Sequence, residues 1–160
     1  SPRGRFAPVD LSELCQTLCD VYDPATAENG QMLICALPDA PVRPVMGDRT
    51  LLGQVLANLI ENAMHHTPQG TRITVALSEA ETHIDLSVTD NGPGIPEDLT
   101  SNLFDPFVTS KPNGTGLGLA LVAKLVGDHG GVVECESRPG RTEFRVMLPF
   151  YEDTDPGELK

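Results

Sequence analysis

The chain has 160 residues, an ordinary apolar fraction of 39% and few aromatic side chains, which suits one domain large enough to fold without staples. Its 23 acidic residues against 11 basic ones give a net charge of −12, which argues against a nucleic-acid binder. No run is long and apolar enough to span a bilayer, and no signal peptide opens the chain.

Residues 1–9 read as the remnant of a linker. Asp10 then caps a first helix, with Glu13 three positions on as in a capping box. Leu11, Leu14, Cys15, Leu18 and Tyr22 form its apolar stripe, and Asp23-Pro24 is the expected end. A strand is expected from Gln31 to Leu37, followed by a proline-rich connection to Pro44. The four cysteines, Cys15, Cys19, Cys35 and Cys135, read as small buried thiols of a reducing cytosol. Cys15 and Cys19 are one helical turn apart, but no second pair at ligand spacing completes a metal site.

Asp48 is the expected N-cap of a second helix, which runs to about His66. Leu52, Val55, Leu56, Leu59 and Ala63 supply its core stripe. Asn58, Asn62 and His65 or His66 lie on a neighbouring polar stripe. Two carboxamides one turn apart offer uncharged oxygen ligands, which suit Mg²⁺ when phosphates and water complete its shell. Alone they would read as a solvated helix face.

Ile73, Val75 and Leu77 alternate in one strand, and Ile84 to Asp90 form the next, paired as a hairpin. Strand side chains alternate faces, so Ile84, Leu86, Val88 and Asp90 share one. That face is apolar, and it carries the Asp90 carboxylate inward. Gly92 and Gly94 follow, letting the backbone turn tightly and letting a flat ligand approach. On its own Asp-Asn-Gly is ordinary turn chemistry.

An irregular stretch then carries Leu103-Phe104-Asp105-Pro106-Phe107, Thr109, Lys111 and Gly114-Thr115-Gly116-Leu117-Gly118-Leu119. A very apolar helix follows to about Val126, expected to be buried on most sides. Backbone N–H groups at a helix start attract anions, and glycines let phosphates come close. Lys111 adds a mobile positive charge. The spacing is neither the dinucleotide fingerprint nor a Walker loop, and the protein-kinase signature set is missing. A final hairpin is expected from Val132–Ser137 and Thr142–Leu148, and residues 151–160 read as an acidic disordered tail. Strand pairs with separate helices, without regular βαβ alternation, predict an α+β fold with helices on one face of a mixed sheet.

A helical Asn pair, a strand-end Asp with glycines, and a glycine-rich helix start jointly suit a purine nucleoside triphosphate with Mg²⁺. In these segments, and over about Asp10 to Pro149, the chain resembles the catalytic and ATP-binding domain of bacterial sensor histidine kinases. Asn58-Leu59-Ile60-Glu61-Asn62-Ala63 resembles the N box, Asp90 to Ile95 the G1 box, Phe104 to Phe107 the F box and Gly114 to Leu119 the G2 box. The resemblance implies the Bergerat fold, a two-layer α/β sandwich whose mixed, mostly antiparallel sheet is covered on one face by about three helices. It implies ATP and Mg²⁺ as ligands, with Asp90 on the adenine amino group, Asn62 as the metal ligand and Asn58 near the phosphates. Gly92, Gly94 and Ile95 would line the base pocket. His65 would take the basic position that follows the N box. Lys111 and the Gly116–Gly118 backbone would serve as a phosphate-closing lid, after a short stretch from Phe107 to Gly114, and Phe107, Thr109, Gly114, Thr115, Leu117 and Leu119 would also bind the nucleotide.

ATPases of the type II topoisomerase, heat-shock chaperone and mismatch-repair kind resemble the chain in the G1 box. They place a Glu general base where this chain has Asn58, and a carboxamide cannot accept a proton in that role. Glu61, next to Asn62, falls on another helix face. The implied function is therefore histidine-kinase autophosphorylation in two-component signalling. The alternatives are a non-catalytic nucleotide-binding module or an ATPase of the same superfamily. None of His65, His66, His83 and His129 is followed by an acidic residue, so the phosphoacceptor is expected on a separate helical hairpin of the same protein. A response regulator would act downstream in the cytosol, and the isolated domain is expected to be monomeric. His129, before Gly130-Gly131 at a helix end, reads as structural.

Overall fold

The structure is a computed structural model, and it describes residues 5–105 and 117–151. In chain order the elements are β1 (Ala7–Val9), α1 (Leu11–Glu28), β2 (Met32–Ala36), β3 (Val45–Gly47), α2 (Arg49–His66), β4 (Arg72–Glu79) and β5 (His83–Asp90). They continue as α3 (Glu97–Thr100), α4 (Leu117–Asp128), β6 (Val132–Arg138) and β7 (Arg141–Pro149).

Five strands form the main sheet in the order β2-β4-β5-β7-β6, while β1 and β3 pair separately. Only β2 runs parallel to its neighbour; the other pairings are antiparallel. One sheet face is apolar because alternate residues turn inward: Ile73, Val75 and Leu77 of β4, Ile84, Leu86 and Val88 of β5, and Phe144, Val146 and Leu148 of β7. Against it lie Leu11, Leu14, Cys15 and Cys19 of α1, Leu52, Val55, Leu56 and Leu59 of α2, and Leu119, Val122, Leu125 and Val126 of α4. The result is the expected two-layer sandwich with three long helices on one face.

Local chemistry sets the helix starts. Asp10 accepts hydrogen bonds from the Ser12 and Glu13 N–H groups at 2.9 and 3.3 Å, and Asp48 accepts from Leu51 N–H at 3.1 Å. The reciprocal half of the capping box is not made. Glu13 instead receives both guanidinium bonds of Arg49, at 3.1 and 2.7 Å, which tie α1 to α2.

Several boundaries differ from the sequence expectation. Helix α1 does not end at Asp23-Pro24 but carries Pro24 inside it and runs to Glu28. An internal proline removes a helix donor. That leaves Asp20 O, four residues back, without its usual donor; further along, the Thr26 hydroxyl adds bonds to the carbonyls of Tyr22 and Asp23 at 3.1 and 2.9 Å, and Thr26 is fully buried. The stretch read as linker includes strand β1, whose Val9 is buried and pairs with Val45. Helix α4 buries only one face; Gly118, Lys124 and Gly127 are exposed. Cys35 and Cys135 are half-buried, unlike Cys15 and Cys19. Residues 152–160, most of the expected tail, lie outside the described residues.

His129 holds the end of α4. It is buried, its Nδ1–H donates to Leu125 O at 2.7 Å, and its Nε2 accepts the Asp48 N–H at 3.1 Å. Its ring stacks on Phe6 with centroids 4.6 Å apart. The structural reading of this histidine holds.

Candidate functional site

The site forms where β5 ends beneath α2. Alternation along β5 turns Asp90 inward at the edge of the apolar face, 8% exposed. Burial pushes its carboxyl above the usual aspartate range, and the hydrogen bond from Gly92 N–H, at 2.9 Å, opposes that shift. That is its one hydrogen bond from a described residue, so the carboxylate keeps capacity to accept another.

The loop after Asp90 is clamped on two sides. Asn91 accepts the Arg72 N–H on its Oδ1 at 2.7 Å and donates its own N–H to Arg72 O at 3.2 Å. Gly92 O accepts the Gly140 N–H at 2.8 Å, which joins the loop to the β6–β7 turn. Gly94 has φ 93°, and a Cβ there would lie 3.0 Å from the Arg138 carbonyl carbon and oxygen. Only glycine suits both the conformation and the approach.

Sheet register adds two residues that sequence reasoning missed. Asp90 pairs with Thr142 of β7, which pairs with Ser137 of β6. The Ser137 and Thr142 hydroxyls are 2.7 Å apart, and Ser137 Oγ accepts the Ile95 N–H at 2.8 Å. A polar row therefore ends the apolar face. Alternation with Phe144 and with Val133 and Cys135 could have flagged both hydroxyls as inward-facing.

Helix α2 carries the two asparagines. Asn58 and Asn62 are both half-buried and one turn apart. Asn58 Nδ2 donates to Gly118 O across 3.4 Å, a long bond that nevertheless sets the N box beside the start of α4. The Asn62 side chain makes no hydrogen bond to another described residue. Its half-buried carboxamide oxygen is a donor type that suits a hard divalent cation. Glu61 is exposed and accepts the Tyr22 hydroxyl from α1, turned away from the asparagine stripe. Burial and this contact push the Tyr22 hydroxyl up to about 12.

At α4, a Cβ added to Gly118 meets nothing within 4 Å among the described residues. Leu119 is packed in the core at 8% exposure, which leaves only its backbone for a ligand. His65 is exposed on the last turn of α2. Phe104 of the F box packs edge-on against Phe144, with centroids 6.1 Å apart. The expected site residues Phe107, Thr109, Lys111, Gly114, Thr115 and Gly116 lie outside the described residues, as does the side chain of Leu117. Among the described residues, Asn58 thus stands beside Gly118, and Asp90 beside Gly92 at the end of β5.

Residues 47–152 match the family described as histidine kinase-, DNA gyrase B- and HSP90-like ATPases. The chain is 48% identical over 130 residues to the sensory histidine kinase/phosphatase NtrB of Azospirillum brasilense, covering 72% of this chain and 32% of NtrB. It spans about a third of the length of that curated relative. Among solved structures it superposes on the catalytic domain of histidine kinase ThkA with a TM-score of 0.81 and 33% identity, covering 91% of this chain and 95% of that one. ThkA has also been solved in complex with the response regulator TrrA, where the likeness has a TM-score of 0.78, 29% identity and coverage of 91% and 42%. Full-length ShkA in complex with AMPPNP matches with a TM-score of 0.82 and 29% identity, covering 94% of this chain and 32% of ShkA.

Proposed function

The chain belongs to the family of histidine kinase-, DNA gyrase B- and HSP90-like ATPases, as a catalytic domain of the sensor histidine kinase kind, and from that premise we propose that it binds Mg·ATP and donates the γ-phosphate to a histidine of a separate helical hairpin in the same protein. The observation that carries this reading is the buried Asp90 carboxylate, which holds one hydrogen bond from a described residue. An exocyclic amine of adenine is the neutral donor that such a carboxylate would accept.

Asn62 would hold Mg²⁺, which when bound supplies charge neutralisation for the phosphates. Asn58 would stand beside the phosphates near the start of α4. His65, Phe107, Thr109, Lys111 and the 114–119 stretch would close over them, with backbone N–H groups and the lysine meeting the negative charge. Phosphoryl transfer is mainly a matter of positioning and electrostatic stabilisation, so the chain needs no nucleophile of its own. The attacking imidazole would come from the hairpin, and a response regulator would take the phosphoryl group onward in the cytosol.

The Tyr22–Glu61 contact supports transfer over hydrolysis. The acidic residue nearest the asparagines is engaged with α1, and the position that a water-activating glutamate would occupy is Asn58. The test uses ATP labelled at the γ-phosphate, this domain, and the dimerisation hairpin of its own protein. Label should appear on a hairpin histidine, and Asp90→Asn should lower it at ATP concentrations that label the wild type. Phosphate release from the isolated domain at an ordinary enzymatic rate, lost in Glu61→Ala, would refute the kinase reading in favour of an ATPase.

A further inference from the structure

Behind the Asp90 loop, the ends of α1 and α2 are joined by a polar clamp. Gln31 follows α1 and is only 6% exposed. Its Nε2 lies 3.0 Å from Met64 O, 3.0 Å from Thr67 O and 2.8 Å from Thr67 Oγ1. Asn29 Nδ2 donates to Gln31 Oε1 at 2.9 Å and to Met64 O at 3.1 Å. The last carbonyls of a helix lack intrahelical donors, so this side chain supplies them to α2. The Thr67 hydroxyl donates to Ala63 O at 2.7 Å while accepting from Gln31. Both functions of the hydroxyl are occupied, and the rotamer of Thr67 is therefore set.

A helix cap needs nothing more, yet the methyl group of Thr67 has a second contact. A Cβ on Gly92 would lie 2.8 Å from Thr67 Cγ2 and 3.0 Å from Asp90 Oδ1. Gly92 is thus wedged between that methyl and the carboxylate that its own N–H holds at 2.9 Å. We infer that Thr67, locked by Gln31, is a positioning residue that sets the Asp90 carboxylate through Gly92 and so tunes the preference of the site for adenine over guanine. The inference rests on the reading of Asp90 as the acceptor for the adenine amine. Guanine carries a carbonyl oxygen where adenine carries that amine, so a displaced carboxylate loses affinity for ATP and gains none for GTP.

Thr67→Ser separates the two roles, since it keeps the hydroxyl bonds and removes the methyl. Two readouts are needed: the Mg·ATP and Mg·GTP affinities, and the hydrogen exchange of the Gly92 amide without nucleotide. We expect Thr67→Ser to weaken ATP binding about five- to tenfold with GTP changed less than about twofold. The Gly92 amide should exchange about as many times faster. Gly92→Ala should also lose ATP binding, and Thr67→Ser should partly restore it, because the added methyl enters the space vacated by the other. A variant whose ATP-to-GTP ratio and Gly92 exchange match the wild type would overturn the inference while leaving the adenine reading intact. A wild type without purine preference, in which Gly92 exchange still responds to Thr67→Ser, would overturn the specificity claim with the adenine reading and leave the Thr67–Gly92 contact as the positioning element.

Discussion

Replacing Asp90 with asparagine should separate stability from binding, with opposite signs. In the nucleotide-free domain the ionised carboxylate is 8% exposed and has one hydrogen bond from a described residue to offset its lost hydration. Asparagine keeps an oxygen for the Gly92 N–H and removes the charge. Lost desolvation against one weakened charge-assisted bond should leave Asp90→Asn more stable than wild type by about 1 kcal/mol at neutral pH. The pH dependence follows from the raised carboxyl pKa. The native state binds the proton more tightly than the unfolded chain, so wild-type stability falls as pH rises from the unfolded to the native pKa. The advantage of the variant is therefore full above the native pKa and fades as pH falls through it. Binding moves the other way. With its oxygen on Gly92, the amide turns an NH₂ group towards the adenine amine, donor against donor. Loss of a charge-assisted bond, about 1.5–3 kcal/mol, weakens ATP roughly ten- to a hundredfold. Urea unfolding at neutral pH and near pH 5, with calorimetric titration of Mg·ATP, measures both. A variant destabilised at neutral pH, one whose advantage grows in acid, or one that binds ATP like wild type would refute the reasoning.

Two further outcomes test the packing. Gly131→Ala would place a Cβ 2.4 Å from Met147 O and should cost about 3 kcal/mol in urea unfolding, whereas Gly127→Ala in α4 meets nothing within 4 Å and should gain about 0.5–1 kcal/mol; equal effects would show the β7 contact to be slack. Burial pushes the Cys15 and Cys135 thiols up to about 12 and the Cys19 thiol upward as well, so native-state alkylation at neutral pH should spare all three, and peptide mapping that finds any of them labelled as fast as in urea would contradict their environment.

The helix starts were legible because capping is local: Asp10 and Asp48 meet donors within three residues. The end of α1 was not. Beyond Pro24 the helix carries a buried threonine whose hydroxyl donates to Tyr22 and Asp23 O, and its burial depends on the rest of the core. Strands β1 and β3 have three residues each and find each other across some forty positions, too short for alternation to register. Asp90 was legible because alternation carried it inward. Thr142 and Ser137 became part of the site only through the pairing of β5, β7 and β6, and Thr67 only through a glutamine 36 positions away.

The availability of Asp90 is itself a product of the whole sheet. In a chain with eleven Lys and Arg residues, an ion pair would be the ordinary means of accommodating a buried carboxylate. Among the described residues no such pair forms at Asp90, and the arginines of β7 are engaged elsewhere. Arg145 lies 3.1 Å from Glu134, 3.8 Å from Glu136 and 3.8 Å from Glu143, and Arg141 lies 3.7 Å from Glu143. Arg141, Glu143 and Arg145 alternate with the inward Thr142 and Phe144, so this network belongs to the sheet face opposite the helices. Had an arginine crossed to the inner face and paired with Asp90, a neutral amine would have to compete with a charge-assisted bond for the same lone pairs. Strand alternation keeps Arg141 and Arg145 off the inner face. The carboxylate consequently stays under-satisfied, at some cost in stability, and it is this shortfall that a bound base would make good.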